Sequence, residues 1–335
     1  MSQLLLIDEN GYYCKQADIY IDPWRPVKRA LITHAHSDHA RWGMKYYLAH
    51  KDSLPILKHR LGAEISAQGL EYGETLEING VRISFHPAGH IPGSAQIRLE
   101  YKGEVWVHSG DYKLEEDPLS QAFEPQKCHH FITESTFGLP VYNWPEPKLV
   151  FDEINTWWRT NKEQGLVSVI GAYSLGKAQR ILAGVDASLG PIFCHGAVEN
   201  TNQILRAMAY KFAKTELVRS EHNKKDFQGA LVIAPPSALN SAWSKKLGKQ
   251  SQAFASGWMS LRGPRRRRAA DRGFILSDHA DWKGLNQAVL DTEAENIYVT
   301  HGYKEIYAKW LCEEYGLNAR PVETLYEGEN LESSD

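Results

Sequence analysis

The apolar positions of this chain fall in short, β-compatible runs, most of them closed by a polar or glycine turn. Residues 4–7 and 17–21 are two such runs, split by the turn signal Glu9-Asn10-Gly11 and ending at Asp22-Pro23. Arg29-Ala30-Leu31-Ile32 is a third. Segments 40–47 and 56–68 read as a pair of helices. Segment 75–86 alternates as a hairpin around Asn79-Gly80, a dipeptide suited to a tight turn. Strands are expected at 105–109 and 131–134. From about residue 145 the rhythm changes to helix 149–160, strand 167–170, a helix opening near Lys177, strand 191–194, helix 201–212, and strands at 230–234 and 252–257. Such alternation of β and α implies a small parallel-sheet domain inserted into the first. A strand then runs from Gly273 to His279 and another from Ile297 to His301, followed by a helix over 304–315 and a last core segment at 321–325. The pattern predicts an α/β protein whose first domain, 1–144, is completed by 273–335, with 145–272 as the insertion; from Glu327 the chain is a polar tail.

Chemistry-bearing residues fall where these runs give way to turns. Thr33-His34-Ala35-His36-Ser37-Asp38-His39-Ala40 follows one strand, and Gly110-Asp111 follows another. Asp22, Glu134, His279 and His301 each stand at the end of a further run. Strand ends at one edge of a sheet aim their loops at a common crevice, so these positions converge more readily than isolated residues would. Neutral imidazole and carboxylate suit zinc, manganese or iron. A polar turn of surface histidines does not account for His-x-His-x-Asp-His. His90 lies among small residues in Pro87-Ala88-Gly89-His90-Ile91-Pro92-Gly93-Ser94-Ala95, where backbone and ligand can approach closely. By strand alternation His108 faces away from Asp111 and reads as structural.

Composition narrows the class. The 335 residues are 42% hydrophobic and 24% charged, as in a globular protein with one large core or two moderate ones. A net charge of −3 gives nucleic acid no general attraction, so any basic surface must be local. Cys14, Cys128, Cys194 and Cys312 are far apart and read as reduced thiols, mostly buried. The first residues carry no basic signal region, and no run is long enough to span a bilayer. The expected location is therefore the cytoplasm, with no membrane partner.

The segment Thr33 to Ala40 resembles the metal-binding signature of the metallo-β-lactamase superfamily, and Ala88-Gly89-His90-x-x-Gly93-Ser94 fits its third-ligand segment. Glu134-Ser135-Thr136-Phe137-Gly138 resembles the segment that opens the cap of the β-CASP nucleases, a branch that cuts nucleic acid. The resemblance implies a metallo-β-lactamase αββα sandwich with an inserted β-CASP-like α/β cap. It implies that His34, His36 and His90 bind one metal, that Asp38, His39 and His301 bind a second, and that Asp111 bridges them. It gives Asp22 the part of orienting a ligand histidine by hydrogen bond. It makes Glu134 the partner of His279, which contacts a scissile-phosphate oxygen or assists the leaving oxygen. Two divalent ions, zinc or manganese, about 3.5–4 Å apart can generate a hydroxide near neutral pH and stabilise both oxygens of an in-line displacement.

In the inserted segment, Gly171-Ala172-Tyr173-Ser174-Leu175-Gly176-Lys177-Ala178-Gln179-Arg180 resembles a Gly-Lys/Arg-x-Gln element of β-CASP caps. A glycine-containing loop that opens a helix can hold a phosphate, here with Ser174 and Lys177. Later come Lys245, Lys246, Lys249, Arg262, Arg265, Arg266, Arg267, Arg268 and Arg272, set against Asp271 alone. This reads as a phosphate-backbone track, with Trp243 and Trp258 as base-stacking candidates. Ala255-Ser256-Gly257-Trp258-Met259, the arginine run and the segment from Asp271 to Trp282 together resemble bacterial ligase-associated DNA exonucleases. Histidine at 301 instead resembles the RNA-processing members. The expectation is a metal-dependent DNA exonuclease of the bacterial cytosol and nucleoid, acting in repair with a DNA ligase and other repair proteins. An RNA-processing nuclease is the alternative. A small-molecule hydrolase fits less well, since it needs neither the cap nor its basic run.

Overall fold

Seven strands that carry or adjoin His90, Asp111, Glu134 and His301 form one sheet in the computed structural model, which describes residues 4–261 and 270–325. The arginines at 265–268 and the polar tail lie outside the described residues. The chain divides into two compact units, one from Met1–Asn143 and His279–Asn330, the other around Trp144–Asp278.

The first unit holds two sheets. One has the order β1-β2-β3-β4-β5-β6, from β1 (Leu5–Asp8), β2 (Gly11–Cys14), β3 (Ile19–Ile21), β4 (Arg29–Ile32), β5 (Tyr46–His50) and β6 (Ala67–Leu70). The other contains β7 (Thr75–Ile78), β8 (Val81–Pro87), β9 (Ala95–Tyr101), β10 (Glu104–His108), β11 (His130–Glu134), β18 (Asn296–Thr300) and β19 (Asn318–Pro321), in the order β19-β18-β11-β10-β9-β8-β7. Side-chain alternation gives this second sheet two apolar faces. Trp106 and Ile132 pack with Leu31, Leu48, Phe85 and Ile97 in the layer shared with the first sheet. Val105, Val107, Phe131, Ile297 and Val299 pack on the other face with residues of two helices. These helices span Trp282–Asp291 and Lys304–Tyr315. Asn79 and Gly80 take φ of 50° and 81° in the turn between β7 and β8, as the hairpin pattern predicts.

The second unit is a parallel sheet in the order β14-β13-β15-β12-β16-β17, built from β12 (Val167–Gly171), β13 (Ile192–Cys194), β14 (Glu216–Leu217), β15 (Leu231–Ala234), β16 (Gln250–Ala255) and β17 (Arg272–Phe274). Between strands lie α2 (Pro147–Glu163), α3 (Lys177–Gly184), α4 (Gly196–Ala207) and the short α5 (Ala242–Lys245), counting the Leu54–Leu61 helix of the first unit as α1. The helices Trp282–Asp291 and Lys304–Tyr315 are then α6 and α7. α2 starts with a proline in its first turn and buries Val150, Ile154, Trp157 and Trp158, one stripe at helical spacing.

Several expected elements differ. The 40–47 segment is no helix: it ends in β5, whose residues are largely buried, so its apolar run lacks the alternation that marks a strand. Of 56–68, only the part to Leu61 is helical; Gly62, at φ 114°, ends it, and Ala67 opens β6. The helix expected at 201–212 starts earlier, where the His195 ring accepts the Ala197 N–H as an N-cap. The expected strand 273–279 is regular only to Phe274, and it pairs with β16. The second unit therefore runs past 272 to Asp278, and His279 sits in a loop. Cys14, Cys128 and Cys194 are buried and Cys312 is exposed; none is in a disulfide. Among the described residues no helix is long and apolar enough to cross a membrane.

Phe131 is fully buried between β10 and β18. Phe131→Ala is expected to cost about 3–5 kcal/mol of stability, read as a lower denaturant midpoint at unchanged slope.

Candidate metal centre

β4 delivers the histidine loop, and the buried carboxylate of Asp22 fixes its first residue. Asp22 Oδ1 accepts the Thr33 N–H at 2.8 Å, and Oδ2 accepts the Thr33 hydroxyl at 2.5 Å. The same Oδ2 meets His39 Nδ1 at 2.8 Å. A carboxylate on Nδ1 holds the proton there and turns Nε2 toward the centre. His39 Nε2 stands 3.4 Å from Asp111 Oδ2 and 3.7 Å from Asp38 Oδ2. Asp22 thus touches a candidate ligand histidine, and Thr33, which carries no signal in the sequence, joins the same network.

Asp111 follows β10 through Gly110, whose φ is 58°. A Cβ there would lie 2.7 Å from Thr33 Cβ, so only glycine lets the two loops close on each other. His108, read as structural, remains outside the cluster, but it accepts the Gly110 N–H on Nδ1 at 3.1 Å and so helps set this turn. Burial pushes the His108 ring down to about 4, which leaves it neutral and able to accept. The Asp111 carboxylate then meets His34 Nε2 at 3.5 Å and His90 Nε2 at 3.9 Å through Oδ2, and His301 Nδ1 at 3.7 Å through Oδ1. His90 Nε2 and His36 Nδ1 are 3.1 Å apart. The His90 loop is held by Ser94, whose Oγ accepts the N–H groups of His90 and Ile91, each at 3.1 Å.

These donors form overlapping groups: His34, His36, His90 and Asp111; His39, Asp111 and His301; and Asp111, Glu134 and His279, with the chosen atoms of each group within 4.8 Å. Asp111 is common to all of them. Asp38 stays outside these groups, though it flanks His39. Nitrogen ligands at 2.0–2.1 Å from one tetrahedral zinc stand about 3.3 Å from each other, close to the separations found here. Buried His34 Nε2, His39 Nε2, Asp111 Oδ1 and His301 Nδ1 have no hydrogen-bond partner among the described residues. Buried polar atoms without partners are costly, and a divalent cation would satisfy them all. The donor set therefore fits divalent metal, with Asp111 common to every group of donors.

The electrostatics agree. Burial drives His34 well below the ordinary histidine value, and the neighbouring rings of His39 and His90 push the same way. Burial also opposes charge on His39, but Asp111, Asp38 and Asp22 outweigh it and hold this ring well above the ordinary value. Burial would raise Asp111, yet His39, His279 and His301 pull it well below the usual carboxylate range. Asp38 is lowered as well, with His39 overcoming the effect of burial.

A second buried pair adjoins this cluster. Glu134, at the end of β11, accepts from His279 Nδ1 on both carboxylate oxygens at 2.9 Å and from the Tyr112 N–H at 2.8 Å. The fold thus brings Glu134 and His279 together across a long stretch of chain.

The expected phosphate loop of the second unit is different. Lys177 is only 1% exposed, with Nζ 3.7 Å from Asp278 Oδ2 and 4.5 Å from the Tyr173 ring centre. Gln179 Oε1 accepts the Gly176 N–H at 2.8 Å, while its Nε2 donates to Ser174 O at 2.9 Å and to Asn202 Oδ1 at 2.8 Å. The loop closes on itself, and Lys177 is an internal ion-pair partner instead of a surface phosphate ligand. Ser174 is half-buried and contributes its carbonyl to that closure. Trp258 is buried, which withdraws it as a stacking platform; Trp243 is half-buried and packs edge-on to His195 at 4.8 Å. Lys245, Lys246 and Lys249 are exposed.

No family model matches the chain. It is 30% identical over 313 residues to a probable DNA ligase of Opitutus terrae, across 92% of this chain and 30% of that protein. It is 31% identical over 270 residues to the RNase aCSPSF2 of Saccharolobus solfataricus, across 69% of this chain and 54% of the relative. It is 28% identical over 176 residues to the cleavage and polyadenylation specificity factor 73 of Drosophila melanogaster, across 49% and 25% respectively. The chain thus spans from 25% to 54% of these relatives' lengths. A crystal structure of a protein of unknown function from Enterococcus faecalis V583 shares the fold, with a TM-score of 0.60 at 13% identity, over 90% of this chain and 80% of that one. The fold is that of the metallo-β-lactamase class with a cap domain. Its relatives are nucleases of the β-CASP branch of that class, and the chain is consistent with that branch.

Asp22 keeps the proton on His39 Nδ1, while Asp111 and Asp38 favour a second one on Nε2, so metal binding at Nε2 displaces that second proton. The protonated pair stabilises the metal-free fold below the ordinary histidine value, and this contribution is lost as pH rises through the elevated one. Calorimetric metal titrations in buffers of different protonation enthalpy are expected to show proton release. Heats independent of the buffer would contradict His39 as a ligand.

Proposed function

We propose that the protein is a metal-dependent nuclease that hydrolyses phosphodiester bonds, with DNA as its substrate and exonucleolytic action in repair. The observation that carries this reading is the sharing of Asp111 by the histidine cluster and the neighbouring Glu134–His279 pair. In this reading His34, His36 and His90 hold one ion, Asp38, His39 and His301 a second, and Asp111 joins them. Zinc or manganese held there supplies the Lewis acidity that activates water and offsets the charge of the phosphate.

The remaining chemistry belongs to the chain. A water oxygen gives up a proton to solvent and forms a bond to phosphorus, and the bond from phosphorus to the leaving oxygen breaks. The leaving oxygen takes a proton from His279 Nε2. Glu134, accepting at His279 Nδ1, holds the ring in orientation and favours its protonated form. Asp22 fixes His39, and His108 and Gly110 fix Asp111. The inserted domain, 145–272, grips the strand, with Arg265, Arg266, Arg267 and Arg268 following its phosphates.

The match to a protein named as a probable DNA ligase, over 92% of this chain, supports DNA and a ligase partner. Scattered thiols without disulfides support the cytosol as the site of action. RNA processing is the second reading, favoured by His301 beside Asp111 and by relatives named as an RNase and a cleavage factor.

The test uses matched DNA and RNA oligonucleotides labelled at either end. Stepwise loss of DNA that is absent in His36→Ala and Asp111→Ala, both still folded, is the expected result. Preferential cutting of RNA would move the protein to the second reading, and activity retained in either variant would overturn the metal assignment. Replacing Arg265, Arg266, Arg267 and Arg268 by Gln is expected to weaken binding and to lower the slope of log affinity against log salt by about one for each phosphate no longer neutralised. Unchanged binding at all salt concentrations would remove the run from the strand path.

A further inference from the structure

Lys177 and Arg180, which the reaction above does not use, are buried cations one helical turn apart on α3. Lys177 Nζ lies 3.7 Å from Asp278 Oδ2, and Arg180 Nη1 lies 3.9 Å from Asp278 Oδ1. Arg180 Nη1 also donates to the Ser277 carbonyl. Both cations therefore engage the residues that immediately precede His279 in the chain. The start of α3 is itself fixed, since Gln179 ties the Ser174 carbonyl and the Gly176 N–H to Asn202 on α4.

The backbone around His279 needs such support. β17 ends at Phe274 and α6 starts at Trp282, so residues 275–281 belong to no helix or strand ladder. On the far side of His279, the Ala280 N–H donates to Tyr112 O at 2.7 Å, and Asp281 caps α6 through the Gly284 N–H at 2.8 Å. On the near side stand Lys177 and Arg180. Buried ion pairs add little net stability, because desolvation cancels much of the attraction, and their best-attested use is to fix one geometry. We propose that Lys177 and Arg180 are positioning residues: through Asp278 and Ser277 they set the backbone that presents His279 to the leaving oxygen. This rests on the phosphodiesterase reading above.

The test compares two substrates that differ in their need for a proton. Cleavage of an oligonucleotide expels an alkoxide that must be protonated; cleavage of bis(p-nitrophenyl) phosphate expels nitrophenolate, which leaves without one. Asp278→Asn keeps the shape and removes the charge, and Lys177→Met removes one cation. Each variant is expected to lower kcat on the oligonucleotide about 10- to 100-fold with KM unchanged, while bis(p-nitrophenyl) phosphate turnover stays within about twofold of wild type. Lys177→Arg, which keeps the charge, is expected to restore most of the lost kcat. Metal content and melting temperature are measured alongside. Equal losses on both substrates, or no loss on either, would overturn the proposal. If Asp278→Asn fails to fold, Lys177→Met reads the same contrast. Wild-type protein that cleaves neither substrate would instead defeat the phosphodiesterase reading, and the two failures are told apart by that control.

Discussion

A carboxylate buried without counter-charge is among the most costly features a fold can carry, and Asp111 is buried where the rings of His34, His39, His90 and His301 meet. The surroundings of this group follow from that constraint. Gly110 lets the loop close on Thr33, His108 holds the turn, and Asp22 fixes the ring of His39 with its Nε2 toward the carboxylate. Without metal, the histidines differ: burial pushes His34 toward its neutral form, while the carboxylates around His39 outweigh burial and push that ring toward its charged form. The orphaned nitrogens and the unpartnered Asp111 oxygen are atoms that a cation would satisfy.

The cluster of candidate donors was legible in the sequence because its residues are dense, of few types, and set at the ends of apolar runs. Asp22, His34, His36, His39, His90, Asp111, Glu134, His279 and His301 are all brought together by the fold. Asp38 is the looser member, beside His39 but outside the tight groups. What was not legible depends on burial and on long-range pairing. β5 carries no alternation because it is largely buried, and β17 reads like a continuation of the His279 segment although it pairs with β16. Lys177 looks like a phosphate ligand from its place after a glycine; only the fold brings Asp278 to it. Thr33 carries no signal, since its part depends on a carboxylate from another strand.

The second unit shows the same preference for internal closure. Gln179, Asn202 and Glu199 form a hydrogen-bonded chain under the α3 loop, with Arg206 and Thr215 completing it. Such a network makes the loop a rigid support, not an open cradle for an anion. Lys245, Lys246 and Lys249 of this unit are exposed.

The central claim is that one carboxylate serves two metal ions. The direct measurement is the metal content of the purified protein after saturation with zinc or manganese and removal of excess, beside Asp111→Asn. Two ions per folded chain in the wild type and fewer in the variant are what a shared Asp111 predicts. A wild-type protein that saturates with one ion or none, or a variant that keeps both, would contradict it.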